Sequence, residues 1–131
     1  MKVGFVGLGN VGGKLARSLL RNKFDLTVRD LDKNLTKTFA DLGAKVTNSS
    51  KELAEKVDLI ITCLPSPQIC DEVMNADDGI INGLSKNKIW LEMSTTDEAE
   101  IKRLGTIVSN KGATPLDGPV SGGCHRAATG N

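Results

Sequence analysis

Aromatic side chains are scarce in this chain: 3% of its 131 residues, with three Phe, one Trp and no Tyr. A core here must be assembled mainly from Val, Ile, Leu and Ala. Charge of one sign is lacking too. Lys and Arg number 17 against 16 Asp and Glu, for a net charge of +1. That balance gives no electrostatic case for nucleic acid or an anionic membrane as partner. No apolar run is long enough to cross a bilayer, and Met1 leads straight into a strand-like segment. Neither a transmembrane segment nor a signal peptide is expected. Cys63, Cys70 and Cys124 are odd in number and His125 is the single histidine. With no metal-type pairing among them, no metal centre is expected, and reduced thiols point to a cytoplasmic location.

What is present is ordinary for a soluble domain: 39% apolar and 25% charged residues, in a length suited to one core. The informative stretch is the first thirty residues. Lys2 to Val6 is a short apolar run. Gly7-Leu8-Gly9-Asn10-Val11-Gly12 follows with G-x-G-x-x-G spacing, and Val11, Leu15 and Leu19 then recur every four residues beside Ala16 and Leu20. A second apolar run, Phe24 to Val28, ends at Arg29-Asp30. Strand, glycine turn, helix, strand and acid is the order of a dinucleotide site. Gly7 permits the tight turn, Gly9 lets a pyrophosphate approach the backbone, and Gly12 lets the helix lie close on the strand. The free N–H groups at the helix start face the phosphates. Asp30 can accept hydrogen bonds from a ribose. A tight turn without a ligand is the competing account.

The alternation continues along the chain. Asp32 can cap a helix ended by Gly43, and Ala44 to Thr47 reads as a short strand. Ser49-Ser50-Lys51-Glu52 reads as a capping box opening a brief helix. Val57 to Leu64 contains a buried parallel strand, and Ser66-Pro67 opens a helix running to Met74. Asp78 to Leu84 suits a short helix and Ile89 to Met93 a fifth strand. Thr95 or Thr96 can cap a helix ended by Gly112, before a sixth strand at Thr114 to Leu116. Six strands alternating with helices imply an α/β, doubly wound parallel sheet with helices on both faces and the strand order 3-2-1-4-5-6.

Three later stretches fall at strand ends, where open α/β sheets bind ligands. Cys63-Leu64-Pro65-Ser66-Pro67 reads from spacing as a proline-rich turn and cap. The hydroxyls of Ser94 and Thr95 suit either a nicotinamide and ribose or a helix cap. Gly122 and Gly123, after Ser121, can turn successive N–H groups toward a carboxylate, or form a plain loop. His125 suits a general acid or base less well than a surface position, and Cys124 suits space-filling better than reactivity.

Taken together, Gly7 to Gly12, Leu64-Pro65, Ser94-Thr95 and Asp117-Gly118-Pro119-Val120-Ser121-Gly122-Gly123 make the chain resemble the β-hydroxyacid dehydrogenase family. The family includes 3-hydroxyisobutyrate dehydrogenase and related semialdehyde reductases. The resemblance covers essentially the whole chain and implies that Leu64, Pro65 and Thr95, with Gln68 and Ser94 as weaker members, contact the cofactor. It implies that Ser121, Gly122 and Gly123 bind the substrate's carboxylate and hydroxyl, which makes Ser121 this chain's candidate catalytic residue. The acid at Asp30 implies NAD, with NADP as the alternative because family members carrying Asn-Arg-Thr there tend to use it. Glu92 replaces the common Asp, and Cys124-His125-Arg126 replace a stretch that is often Val-Glu-Gly. The family's catalytic lysine lies on a helical domain after this point, so no residue here takes that role.

Residues 1–131 are thus expected to form one NAD(P)-binding Rossmann-like domain, with the helical domain absent from this chain. The expected function is hydride transfer between a nicotinamide cofactor and a small 3-hydroxy acid or its semialdehyde, by a homo-oligomer when full length. The alternatives are an imine reductase or 6-phosphogluconate dehydrogenase relative, and a non-catalytic dinucleotide-binding module.

Overall fold

A computed structural model describes residues 1–94 and 97–117. Within them, a parallel sheet is built from β1 (Lys2–Val6), β2 (Asp25–Arg29), β3 (Lys45–Val46), β4 (Leu59–Thr62), β5 (Ile89–Glu92) and β6 (Thr114–Asp117). The order is β3-β2-β1-β4-β5-β6, as the alternation of elements predicts. The helices are α1 (Asn10–Arg21), α2 (Lys33–Asp41), α3 (Ser50–Lys56), α4 (Pro67–Asn75) and α5 (Glu98–Asn110). A 3₁₀ turn occupies Ile80–Gly83, where the sequence suggests a short helix.

Local chemistry sets most helix starts. Asp32 accepts from the Asn34 N–H, Ser49 from the Glu52 N–H and Ser66 from the Ile69 N–H, each satisfying an unpaired donor of a first turn. The return bond from Glu52 goes to the Asn48 N–H at 3.4 Å, one residue earlier than a capping box requires. The cap of α5 is Asp97, which accepts from Ala99 and Glu100, and not a threonine. Its carboxylate holds two N–H groups and favours the positive helix end by charge, which a hydroxyl does not.

The strands alternate their side chains between two cores. Val3, Phe5, Leu26 and Val28 face α1 and α2, with Ala16 and Phe39. Val6, Ile60 and Trp90 face α3, α4 and α5, with Leu53, Met74 and Leu104. A Cβ at Gly4 would stand 2.4 Å from a Leu53 methyl group, so α3 sits close on the sheet. This second face also receives Thr62 and Glu92, which are register partners on β4 and β5. Both are fully buried.

Candidate functional site

Between β1 and β4 the strand order reverses, and the loops leaving these strands diverge to opposite sides. A cavity of about 780 Å³ opens there, within the range of small-molecule and cofactor sites. Its near side is the glycine turn. Gly7 has φ +102°, and a Cβ on it would lie 2.2 Å from the Cys63 carbonyl oxygen. Gly12 packs just as tightly: a Cβ there would lie 2.0 Å from the Gly7 carbonyl oxygen. Gly9 differs, since a Cβ there would meet nothing within 4 Å. Gly9 is also the cap residue of α1 and offers no side-chain acceptor, so the first-turn N–H groups have no side-chain cap.

Asp30 stands at the end of β2 and lines the cavity. Its two oxygens accept from the Leu8 N–H at 2.7 Å and the Asp32 N–H at 2.9 Å. The carboxylate thus ties the glycine turn to the start of α2, and each oxygen keeps acceptor capacity. Arg29 and Leu31 flank it in the cavity wall. The Arg29 guanidinium donates to the Asp30 carbonyl oxygen at 3.1 Å.

The opposite wall comes from the ends of β4 and β5, through Cys63, Leu64, Pro65, Met93 and Ser94. The Leu64 N–H donates to the Ser94 hydroxyl oxygen at 2.5 Å. The Ser94 N–H donates to Glu92 Oε1 at 2.5 Å. Glu92 Oε2 accepts from the Thr62 hydroxyl at 2.6 Å and the Cys70 thiol at 3.1 Å. Burial, then the charge of Glu92, pushes the Cys70 thiol far above its ordinary range. The same two causes, in the same order, raise Cys63. Neither thiol is in the activated state a nucleophile needs.

The fold therefore brings together Gly7, Gly9, Asn10, Val11 and Gly12 with Asp30, Leu64, Pro65 and Ser94 on one cavity. Leu8 is buried in the core and reaches the site through its N–H alone. Gln68 is exposed on α4, outside the cavity wall. Thr95, Ser121, Gly122 and Gly123 lie outside the described residues. Several lining residues carry no motif: Glu72, Val73, Asp78 and Gly79 enter from α4 and the segment after it. Glu92 was legible as a sequence departure, and in the strand it shares the face of buried Trp90, opposite Leu91.

A family model described as the NAD binding domain of 6-phosphogluconate dehydrogenase matches residues 2–131. The chain belongs to this family. Mouse 3-hydroxyisobutyrate dehydrogenase, mitochondrial, is 39% identical over 98% of the chain, which spans 38% of that protein. The crystal structure of the Salmonella typhimurium 3-hydroxyisobutyrate dehydrogenase superposes with a TM-score of 0.91 at 28% identity, over 100% of this chain and 46% of that one. Psf3 in complex with NADP+ and 2-OPP superposes with a TM-score of 0.93 at 25% identity, over 98% of this chain and 45% of that one. The chain thus spans less than half the length of these relatives. It is an NAD-binding domain of this family, similar in sequence to the corresponding part of 3-hydroxyisobutyrate dehydrogenases. One expectation is corrected. The mouse, rat and human relatives are named as mitochondrial, against the cytoplasmic location inferred from the cysteines. Unpaired thiols indicate a reducing compartment and do not single out the cytosol.

Proposed function

We propose that this chain is the cofactor-binding part of an NAD-dependent dehydrogenase acting on a small 3-hydroxy acid. The supporting observation is the cavity at the strand-order reversal, with open space over Gly9 and none over Gly7 or Gly12. That contrast suits a pyrophosphate lying on Gly9 and on the α1 N–H groups. Asp30, with acceptor capacity left on both oxygens, would hold the adenosine ribose. Its charge, with Asp32 beside it in the wall, opposes a 2′-phosphate and favours NAD over NADP. Leu64, Pro65, Ser94 and Thr95 would border the nicotinamide half, whereas Gln68, outside the cavity wall, has no part in this reading. When bound, the cofactor supplies the hydride acceptor.

The remaining roles belong to the whole protein. Ser121 and the amides of Gly122 and Gly123 would hold the substrate carboxylate and hydroxyl, a positioning contribution. The group that takes the hydroxyl proton would be a lysine on a helical domain outside this chain. By itself the chain would bind cofactor and turn over little, and the full-length protein would assemble as a homo-oligomer. Calorimetric titration of the chain with NAD(H) and NADP(H) tests the reading. Tighter binding of NAD(H) is expected. Failure to bind either dinucleotide overturns it.

A further inference from the structure

Glu92 has no part in the reading above, yet it is a fully buried acid one hydrogen bond behind the cavity wall. Its surroundings are a set of converging donors. The Trp90 indole N–H, which can only donate, gives its proton to the Thr62 hydroxyl oxygen at 3.0 Å. The Thr62 proton is thereby directed to Glu92 Oε2, where the Cys70 thiol also donates. The Ser94 N–H fills Oε1. All three donors are uncharged, and among the described residues no ion pair includes Glu92. The carboxylate is satisfied as an acceptor while its charge is not neutralised by a cation there.

That charge lies beside one end of the cavity. Asp30 marks the β2 side, the glycine turn occupies the middle over β1, and a dinucleotide crossing the reversal point continues over β4 and β5. Ser94 and Leu64, linked to each other and through Ser94 to Glu92, form the wall at that end. The field of Glu92 is felt there: after burial, it is the cause that raises the Cys63 thiol in the same wall.

We propose that Glu92 biases the site toward the oxidised cofactor, its buried negative charge favouring the cationic nicotinamide ring of NAD+ over the neutral ring of NADH. This rests on the cofactor site proposed above. The test measures the affinities of NAD+ and NADH for the chain, for Glu92→Gln and for Cys70→Ala. Glu92→Gln keeps size and removes charge. It should weaken NAD+ relative to NADH by roughly three- to tenfold. Cys70→Ala removes one donor and keeps the charge, so its affinity ratio should match the unmodified chain. A role confined to holding the wall would move both affinities together and leave the ratio constant in Glu92→Gln, which overturns the proposal. If thermal melts show that Glu92→Gln does not fold, the unmodified chain is titrated with NAD+ and with the neutral benzamide analogue of the dinucleotide. Weaker binding of the neutral analogue is then expected, and equal binding overturns the proposal. Failure of the unmodified chain to bind any of these ligands removes the cofactor reading itself, whereas binding with an unmoved ratio removes only the role of Glu92.

Discussion

The two walls of the cavity are made by different means. The near wall is one unbroken stretch of chain, from Val6 through the glycine turn, α1 and β2 to Asp32 at the start of α2. Its shape comes from local rules: a positive φ at Gly7, a close helix at Gly12 and an acid at a strand end. The far wall is assembled from segments some thirty residues apart, joined by Leu64 to Ser94 and by Thr62 to Glu92. Nothing local requires those partners to meet; the parallel register of β4 on β5 makes them meet. A wall built from chain geometry should fail abruptly when its backbone is obstructed. A wall built from hydrogen bonds should weaken by steps.

The sharpest way to break this contrast lies within the near wall itself. Gly12→Val would drive side-chain atoms into the Gly7 carbonyl, and the melting transition should be lost or fall drastically. Gly9→Val faces open space, so the domain should stay folded while cofactor affinity drops at least a hundredfold. Circular dichroism melts and NADH titration on both variants separate the outcomes. Normal NADH binding by Gly9→Val would mean that the phosphates do not lie over this turn.

Asp30→Ala should have the next largest effect, because it removes a ribose acceptor and frees the Leu8 and Asp32 N–H groups together. Affinity for NAD should fall roughly tenfold or more, at about 1.5–3 kcal/mol for hydrogen bonds to a charged group. NADP should lose less, so the gap between the cofactors narrows. Paired titrations read this directly, and an unchanged gap would remove Asp30 from cofactor choice.

Ser94→Ala probes the far wall. It deprives the part-buried Leu64 N–H of its acceptor, a loss of about 1–3 kcal/mol in stability. Denaturant melts should show that cost, with a modest fall in cofactor affinity. A loss of fold comparable to Gly12→Val would erase the distinction between the walls.

The smallest effect on the site should come from Lys88. Its ammonium group donates to the carbonyls of Ala54, Glu55 and Val57, closing the end of α3 away from the cavity. Burial lowers its pKa, with Asp58 and Glu55 opposing the shift. Lys88→Ala should cost about 1–2 kcal/mol of stability through the freed carbonyls. NAD affinity should be unaltered. A change in binding by this variant would show that the two ends of the domain are coupled.

The near wall was readable because each of its features follows from neighbours in the chain. G-x-G-x-x-G spacing, four-residue recurrence of Leu15 and Leu19, and an acid after Val28 are local patterns. The caps at Asp32, Ser49 and Ser66 were readable for the same reason. The cap of α5 is misplaced by the sequence reading, which puts it at Thr95 or Thr96; the observed cap is Asp97. The sequence showed Glu92 only as a replacement of the common Asp; its burial and its partners came with the structure. Cys70 lies on a helix and Thr62 on another strand, and neither contains a signal naming the other.

The sequence by itself determined the order of elements, the strand topology and the glycine turn with its acid, because steric limits on glycine and hydrophobic periodicity act within a few residues. Tertiary structure alone decided which side chains share the cavity and which acid is buried behind it. Those contacts depend on strand register and on the depth to which α4 packs, so only the assembled sheet brings Thr62, Cys70, Glu92 and Ser94 within hydrogen-bonding reach.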